Sequence, residues 1–199
     1  MKNILFFGNS LTEGYGLTLA QAPPALLQKK IDEYGLPYLT INAGISGDTT
    51  HGAIMRLPNV LQQQEVDIFV LELGINDLFR GIPPQKMEQN LIQIIERTKV
   101  QYPTVLIVLV RVELPLELLM EFGMMGQVAA QYIQSYQSVY EKLAKKYNLP
   151  LIPSLLDGVM GETHLNLPDR LHPNAEGYKI VAETMWKTIY PILRQTYTN

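Results

Sequence analysis

The sequence predicts an α/β domain built on a parallel sheet. Three observations lead there. Short apolar runs alternate along the chain with stretches of helical periodicity. Residues 104–110 contain six consecutive apolar residues, a run without polar alternation that suits a strand covered on both faces. Several apolar runs stop at short loops of Gly, Asn, Asp and Ser, and in open α/β sheets ligands bind at that edge.

Residues 4–7 read as the first strand, stopped by Gly8 and followed by Ser10. Ser10-Leu11-Thr12-Glu13 fits S-x-x-E, a capping box that starts a helix. Pro24 opens a helix whose stripe is Leu27, Ile31 and Tyr34, closed by Gly35. Residues 38–41 form a second strand, and Asn42-Ala43-Gly44-Ile45-Ser46-Gly47-Asp48 a turn-rich loop, with Asp48 or Thr49 capping the next helix. Residues 67–73 are the third strand, ending in the loop Gly74-Ile75-Asn76-Asp77. Pro83-Pro84 begins a helix with Met87, Leu91, Ile94, Ile95 and Thr98 on one face, and residues 104–110 supply the fourth strand. Residues 111–126 are rich in Leu and Met and read as core, or as a lid or wall for an acyl chain. A helix with Tyr132, Tyr136, Tyr140, Leu143 and Tyr147 follows, then a last strand at 149–152. The final helix runs from about residue 173 to 192, with Ile180, Val181, Thr184 and Ile189 inward and Pro173 in its first turn.

Composition narrows the function. At 199 residues the chain is expected to be one domain, spanning 1–199. A hydrophobic fraction of 47% with 18% charged residues suits a globular core. The net charge of -3, with no basic block, argues against nucleic acid as a partner. The absence of cysteine excludes disulfides and thiolate chemistry. His51 and His164 read as solvated, and three histidines without cysteine leave no zinc-ligand spacing. No segment suits stable membrane insertion, and the start lacks the marks of a signal peptide. The chain is expected in the cytoplasm, or in the periplasm or outside the cell if a leader has been removed. The oligomeric state is left open.

Four loops carry the candidate chemistry. Asp169-Arg170-Leu171-His172-Pro173 places a carboxylate three residues before an imidazole, and Pro173 keeps His172 out of the helical region. Asp169 would accept the Nδ1 proton, leaving Nε2 as a base for Ser10. Gly44 suits the close approach of an oxyanion donor, and Asn76 offers an amide. Ser46 is the rival nucleophile, with a turn role the simpler reading.

Here the sequence resembles the SGNH hydrolases, also called GDSL esterases/lipases. Phe7-Gly8-Asn9-Ser10-Leu11 is similar to the first block, Gly44 to the second-block glycine, Gly74-Ile75-Asn76-Asp77 to G-x-N-D, and Asp169-Arg170-Leu171-His172 to D-x-x-H. Each motif alone is weak; four in order, each at an expected loop, are specific. The likeness is greatest to the bacterial group with thioesterase, protease, lysophospholipase and arylesterase activity. It implies a three-layer α/β/α flavodoxin-like sandwich with a five-stranded parallel sheet in order 2-1-3-4-5. It also implies a catalytic triad of Ser10, Asp169 and His172, an oxyanion hole of the Ser10 N–H, the Gly44 N–H and the Asn76 side chain, and no metal or organic cofactor. The expected substrates are small acyl esters and thioesters, with Leu78 and Phe79 beside the acyl chain. One departure is Asn9 in place of the family's Asp; activity is expected to survive it, with loop stability or pH profile altered. The alternatives are a carbohydrate O-acetylesterase and a non-catalytic flavodoxin-like binding module.

Overall fold

The computed structural model describes residues 1–113 and 127–198. Strands β1 (Lys2–Gly8), β2 (Tyr38–Gly44), β3 (Ile68–Glu72), β4 (Leu106–Val110) and β5 (Leu151–Ile152) form one sheet. Every pairing is parallel and the order is β2-β1-β3-β4-β5. Among the described residues the α-helices are α1 (Ser10–Glu13), α2 (Pro23–Glu33), α3 (Thr50–Gln63), α4 (Ile75–Phe79), α5 (Pro84–Gln101), α6 (Gln127–Tyr147) and α7 (Ala175–Thr198). On one face α2 packs with α7; on the other α3 packs with α5 and α5 with α6. This is the expected three-layer sandwich.

Burial explains why the strands are continuous apolar runs. Ile4, Leu5, Phe6 and Phe7 in β1, and Ile107 to Val110 in β4, are all buried, because helices cover both sheet faces. The helical stripes face the same core: Leu27 and Ile31 in α2; Met87, Leu91, Ile94, Ile95 and Thr98 in α5; Tyr136, Tyr140 and Leu143 in α6. Tyr132 and Tyr147 are half-buried, and their hydroxyls bond outward to Ile82 O and Glu96.

Register puts the strand ends in line. Gly8 pairs with Gly44 on one side and Glu72 on the other, Glu72 with Val110, and Val110 with Ile152. Residues that follow these ends therefore share one edge.

Local expectations differ from the structure in several places, among them Tyr34 of the α2 stripe, which is exposed, and the last strand, which is only Leu151–Ile152. β2 continues through Gly44, so the loop begins later, at Ile45. Gly74-Ile75-Asn76-Asp77 enters the short helix α4 and is no open turn. The last helix starts at Ala175, because Asn174 caps it by accepting the Glu176 and Gly177 N–H groups at 3.0 and 3.1 Å. Ile180 faces solvent, while Val181 and Ile189 are buried. Of 111–126, residues 114–126 lie outside the described residues; Val112 is buried.

Candidate active site

Ser10 stands just beyond the end of β1, after Asn9, and is 7% exposed. It is the first residue of α1, not its cap. Asn9 is the cap, and its Oδ1 accepts the Leu11 N–H at 2.9 Å. Glu13 does not complete a capping box: its carboxylate is turned to Ser46, accepting from both the N–H and the hydroxyl. Ser46 keeps the turn role, because the His172 imidazole meets Ser10 and Asp169 while the Ser46 hydroxyl is tied to Glu13. Tyr178, buried in α7, donates to Ser10 O at 3.4 Å.

The His172 imidazole reaches Ser10 from the far end of the chain, with Nε2 2.9 Å from Oγ. Nδ1 lies 2.7 Å from Asp169 Oδ2. An ionised carboxylate only accepts, so Nδ1 carries the proton and Nε2 is free to accept from Ser10. The turn between them is self-braced. Asp169 Oδ1 accepts the Leu171 and His172 N–H groups, each at 3.0 Å, and Arg170 takes φ 61° to close it. Partial burial works against ionisation of Asp169, but the bonds from His172 and Leu171 outweigh it and hold its pKa below the ordinary carboxylate value. Tyr15 packs against the imidazole, tilted by 39°, at 4.5 Å between ring centroids.

The neighbouring loop is braced to α4. Asn76 Nδ2 donates to Asp48 O at 2.9 Å, and Arg80 donates to Gly47 O at 2.8 Å. The buried Asp77 accepts from Thr50 N–H at 2.8 Å and Thr50 Oγ1 at 2.5 Å. Burial raises the Asp77 pKa against the pull of those bonds. Thr49 caps α3 by accepting the Gly52 N–H. Arg56 ties the two strand ends together: it donates to Gly8 O, Ala43 O and Asp48 Oδ2, with its guanidinium 3.9 Å over the Phe7 ring.

The sequence-derived site residues separate here. Ser10, His172 and Asp169 come together. Asn76 borders the same small cavity of about 70 Å³, with one amide hydrogen engaged and one remaining. Gly44 does not offer its N–H to this cavity. As the last residue of β2 it donates to Asn42 Oδ1 at 2.9 Å, and its missing side chain serves packing, since a Cβ there would run into Glu13 N. Leu78 is buried in the core, 2% exposed, and does not line the cavity; Phe79 does. Among the described residues, the Ser10 and Gly47 N–H groups are left without a partner. Gly47 lies in the same turn-rich stretch that drew attention to Gly44, three residues past the end of β2. The cavity's apolar wall also includes Leu156 and Met160, which carry no motif, and Leu171 from a variable position of D-x-x-H.

Comparison with known proteins follows the same outline. Residues 6–180 match the model of the GDSL-like Lipase/Acylhydrolase family. Esterase TesA of Pseudomonas aeruginosa is 32% identical over 192 residues, 96% of this chain and 90% of the relative. Thioesterase 1/protease 1/lysophospholipase L1 of Escherichia coli K12 is 32% identical over 190 residues, 96% of this chain and 84% of the relative. Among solved structures, a psychrotrophic esterase from Pseudoalteromonas sp., inhibited by monoethylphosphonate, superposes with TM-score 0.85 at 28% identity, covering 98% of this chain and 100% of that one.

Proposed function

The chain belongs to the GDSL-like lipase/acylhydrolase family and is a carboxylic ester hydrolase, and from that premise we propose that Ser10, His172 and Asp169 form its triad. The observation that carries this reading is the unbroken relay from Ser10 Oγ to His172 Nε2 at 2.9 Å and from Nδ1 to Asp169 at 2.7 Å.

Ser10 Oγ attacks the acyl carbonyl as His172 Nε2 takes its proton. Asp169 holds the tautomer and balances the imidazolium. The oxyanion is met by the Ser10 N–H, the remaining Asn76 amide hydrogen and the Gly47 N–H, the last in place of Gly44. Such donors lower the barrier by on the order of 3 kcal/mol each. His172 returns its proton to the leaving oxygen or sulfur. Water then attacks the acyl-enzyme by the same route.

The wall formed by Phe79, Leu11 and Leu156 suits the hydrocarbon of an acyl or aryl group. We assign esters and thioesters of short to medium chains, aryl esters and lysophospholipids as the substrate class. No described helix is long and apolar enough to cross a membrane.

The test is a fluorophosphonate probe with a hydrolysis panel of acyl-CoA, lysophospholipid, p-nitrophenyl ester and acetylated polysaccharide. Stoichiometric labelling lost in Ser10→Ala is expected, with cleavage of the p-nitrophenyl esters. A folded sample that does not label defeats the serine mechanism; strict preference for acetylated polysaccharide defeats the substrate assignment.

A further inference from the structure

Beneath the nucleophile lies a carboxylate that none of these steps uses. Glu72 ends β3, 1% exposed, in register with Gly8. Its partners are three donors from the turn that carries Ser10. Asn9 N–H donates to Oε2 at 3.2 Å, Asn9 Nδ2 to Oε1 at 2.8 Å, and Thr12 Oγ1 to Oε2 at 2.8 Å. Gly8 leaves the room for them, because a Cβ there would run into Thr12 Oγ1 and Glu72 Oε2.

We propose that Glu72 is a positioning residue for Ser10, acting through Asn9 as a matched carboxylate–amide pair. The inference rests on Ser10 being the nucleophile. The ionised carboxylate accepts both the backbone and side-chain N–H of Asn9. That fixes which way the Asn9 amide faces, turning Oδ1 to the Leu11 N–H and setting the first turn of α1. Asn9 Oδ1 also lies 3.4 Å from Ser10 Oγ, so a rotated amide would place an N–H donor beside the nucleophile.

Protonation disturbs this arrangement. Three hydrogens already point at Glu72, and a fourth forces a bond to break or the Thr12 hydroxyl to reverse. Burial drives the Glu72 pKa up to about 7, against the opposing bonds from Thr12 and Asn9. The switch therefore falls near neutrality. Among the described residues, no cation lies against it. Tyr136 and Tyr140 of α6 and Tyr178 of α7 are themselves pushed up by burial and stay neutral. Nearby charges have other partners: Arg56 holds Asp48, Arg111 holds Glu113 and Glu141, His172 holds Asp169, Asp77 holds Thr50 and Glu13 holds Ser46. A carboxylate in place of the Asn9 amide would face Glu72 across the same 2.8 Å, and one of the two would have to keep a proton.

Two measurements test the pair. In the intact protein, carboxyl-carbon NMR should show one glutamate titrating near pH 7, absent in Glu72→Gln, with the Leu11 and Thr12 amide signals moving along the same curve. Titration of Glu72 in the ordinary carboxylate range, or amides that stay still, overturns the proposal. In hydrolysis of p-nitrophenyl acetate, Glu72→Gln should lower kcat roughly ten- to a hundredfold with little change in KM, and remove one ionisation from the acid side of the kcat profile. The Asn9→Asp/Glu72→Gln double variant, with amide and carboxylate exchanged, should recover most of that loss. A Glu72→Gln profile that overlays the wild type, or a double variant no better than Glu72→Gln, also overturns it. Should Glu72→Gln fail to fold, the wild-type titration still decides. Fluorophosphonate labelling reports on Ser10 alone, so failure of the nucleophile reading and failure of the pair are seen separately.

Discussion

Ser10 and His172 meet at 2.9 Å, yet they are held in opposite ways. The nucleophile's turn is fastened by partners far away in sequence: Glu72 from β3, Tyr178 from α7, and Arg56 from α3 on the Gly8 carbonyl. All of it is buried or nearly so. The base sits on a turn braced from within three residues, with its side chain 21% exposed and Asp169 more open still. Long-range buried bonds make the position of Ser10 a property of the whole sheet. The short exposed turn makes His172 a local device added at its rim. Damage to the first should appear as lost stability and lost rate together; damage to the second should appear as lost rate with little lost stability.

The sharpest test of that contrast is also the largest effect expected. His172→Ala should reduce kcat by about 10⁴-fold while leaving Tm close to wild type, because a partly exposed ring contributes little core burial. Asp77→Ala, on the buried side, should instead cost about 2–3 kcal/mol by orphaning the Thr50 N–H and hydroxyl. Steady-state hydrolysis beside thermal denaturation separates them. A His172→Ala protein that melts as early as Asp77→Ala would erase the distinction.

The same contrast explains what was legible in the sequence. The strands were readable because two-sided burial leaves an unbroken apolar run, as at residues 4–7 and 104–110. The base turn was readable because its geometry is local: three residues and a following proline carry all of it. The long-range features were not. Glu72 looks like any charged residue near a strand end; only register shows that it faces the nucleophile's turn. Gly44 drew attention as a glycine in a turn-rich stretch, but strand pairing with β1 carries β2 through it, and close packing on α1 accounts for it. Ser10 was read as a cap because S-x-x-E is a local pattern, whereas the cap is Asn9, whose amide is oriented by a residue 63 positions away.

A middle-sized effect comes from pH, where the two regions should respond with opposite sign. Glu72 has its folded pKa raised from 4.5 to about 7, so its stabilising contribution is full below pH 4.5 and lost as pH rises through about 7. The size is about 3 kcal/mol, to order of magnitude. Asp169 is lowered, so its contribution is present above the ordinary carboxylate range and lost as pH falls through its folded value. Urea denaturation of wild type, Glu72→Gln and Asp169→Asn from about pH 2 to pH 8 should show the Glu72→Gln protein gaining on wild type toward neutral pH. The Asp169→Asn protein should lose ground to wild type as pH rises toward the ordinary carboxylate value, and by less, since Asp169 is solvent-screened. Parallel curves for all three proteins would mean that neither carboxylate is perturbed by its surroundings.

The smallest effect separates the two glycines. Asn42 Oδ1 holds the Gly44 N–H, and Asn42 Nδ2 reaches Glu13 O at 3.3 Å, all on the exposed side of β2. Were Gly44 the oxyanion donor, this side chain would be competing with substrate, and removing it would free the N–H. Asn42→Ala should then raise kcat about tenfold, the order of a weak hydrogen bond. If the Gly47 N–H serves, the bond at Gly44 is a strand-end brace that never meets the substrate. Asn42→Ala should then leave kcat within about twofold and cost at most about 1 kcal/mol of stability. The second outcome is the one expected, because the Gly47 N–H is unpartnered among the described residues and stands one residue before the carbonyl that holds Asn76.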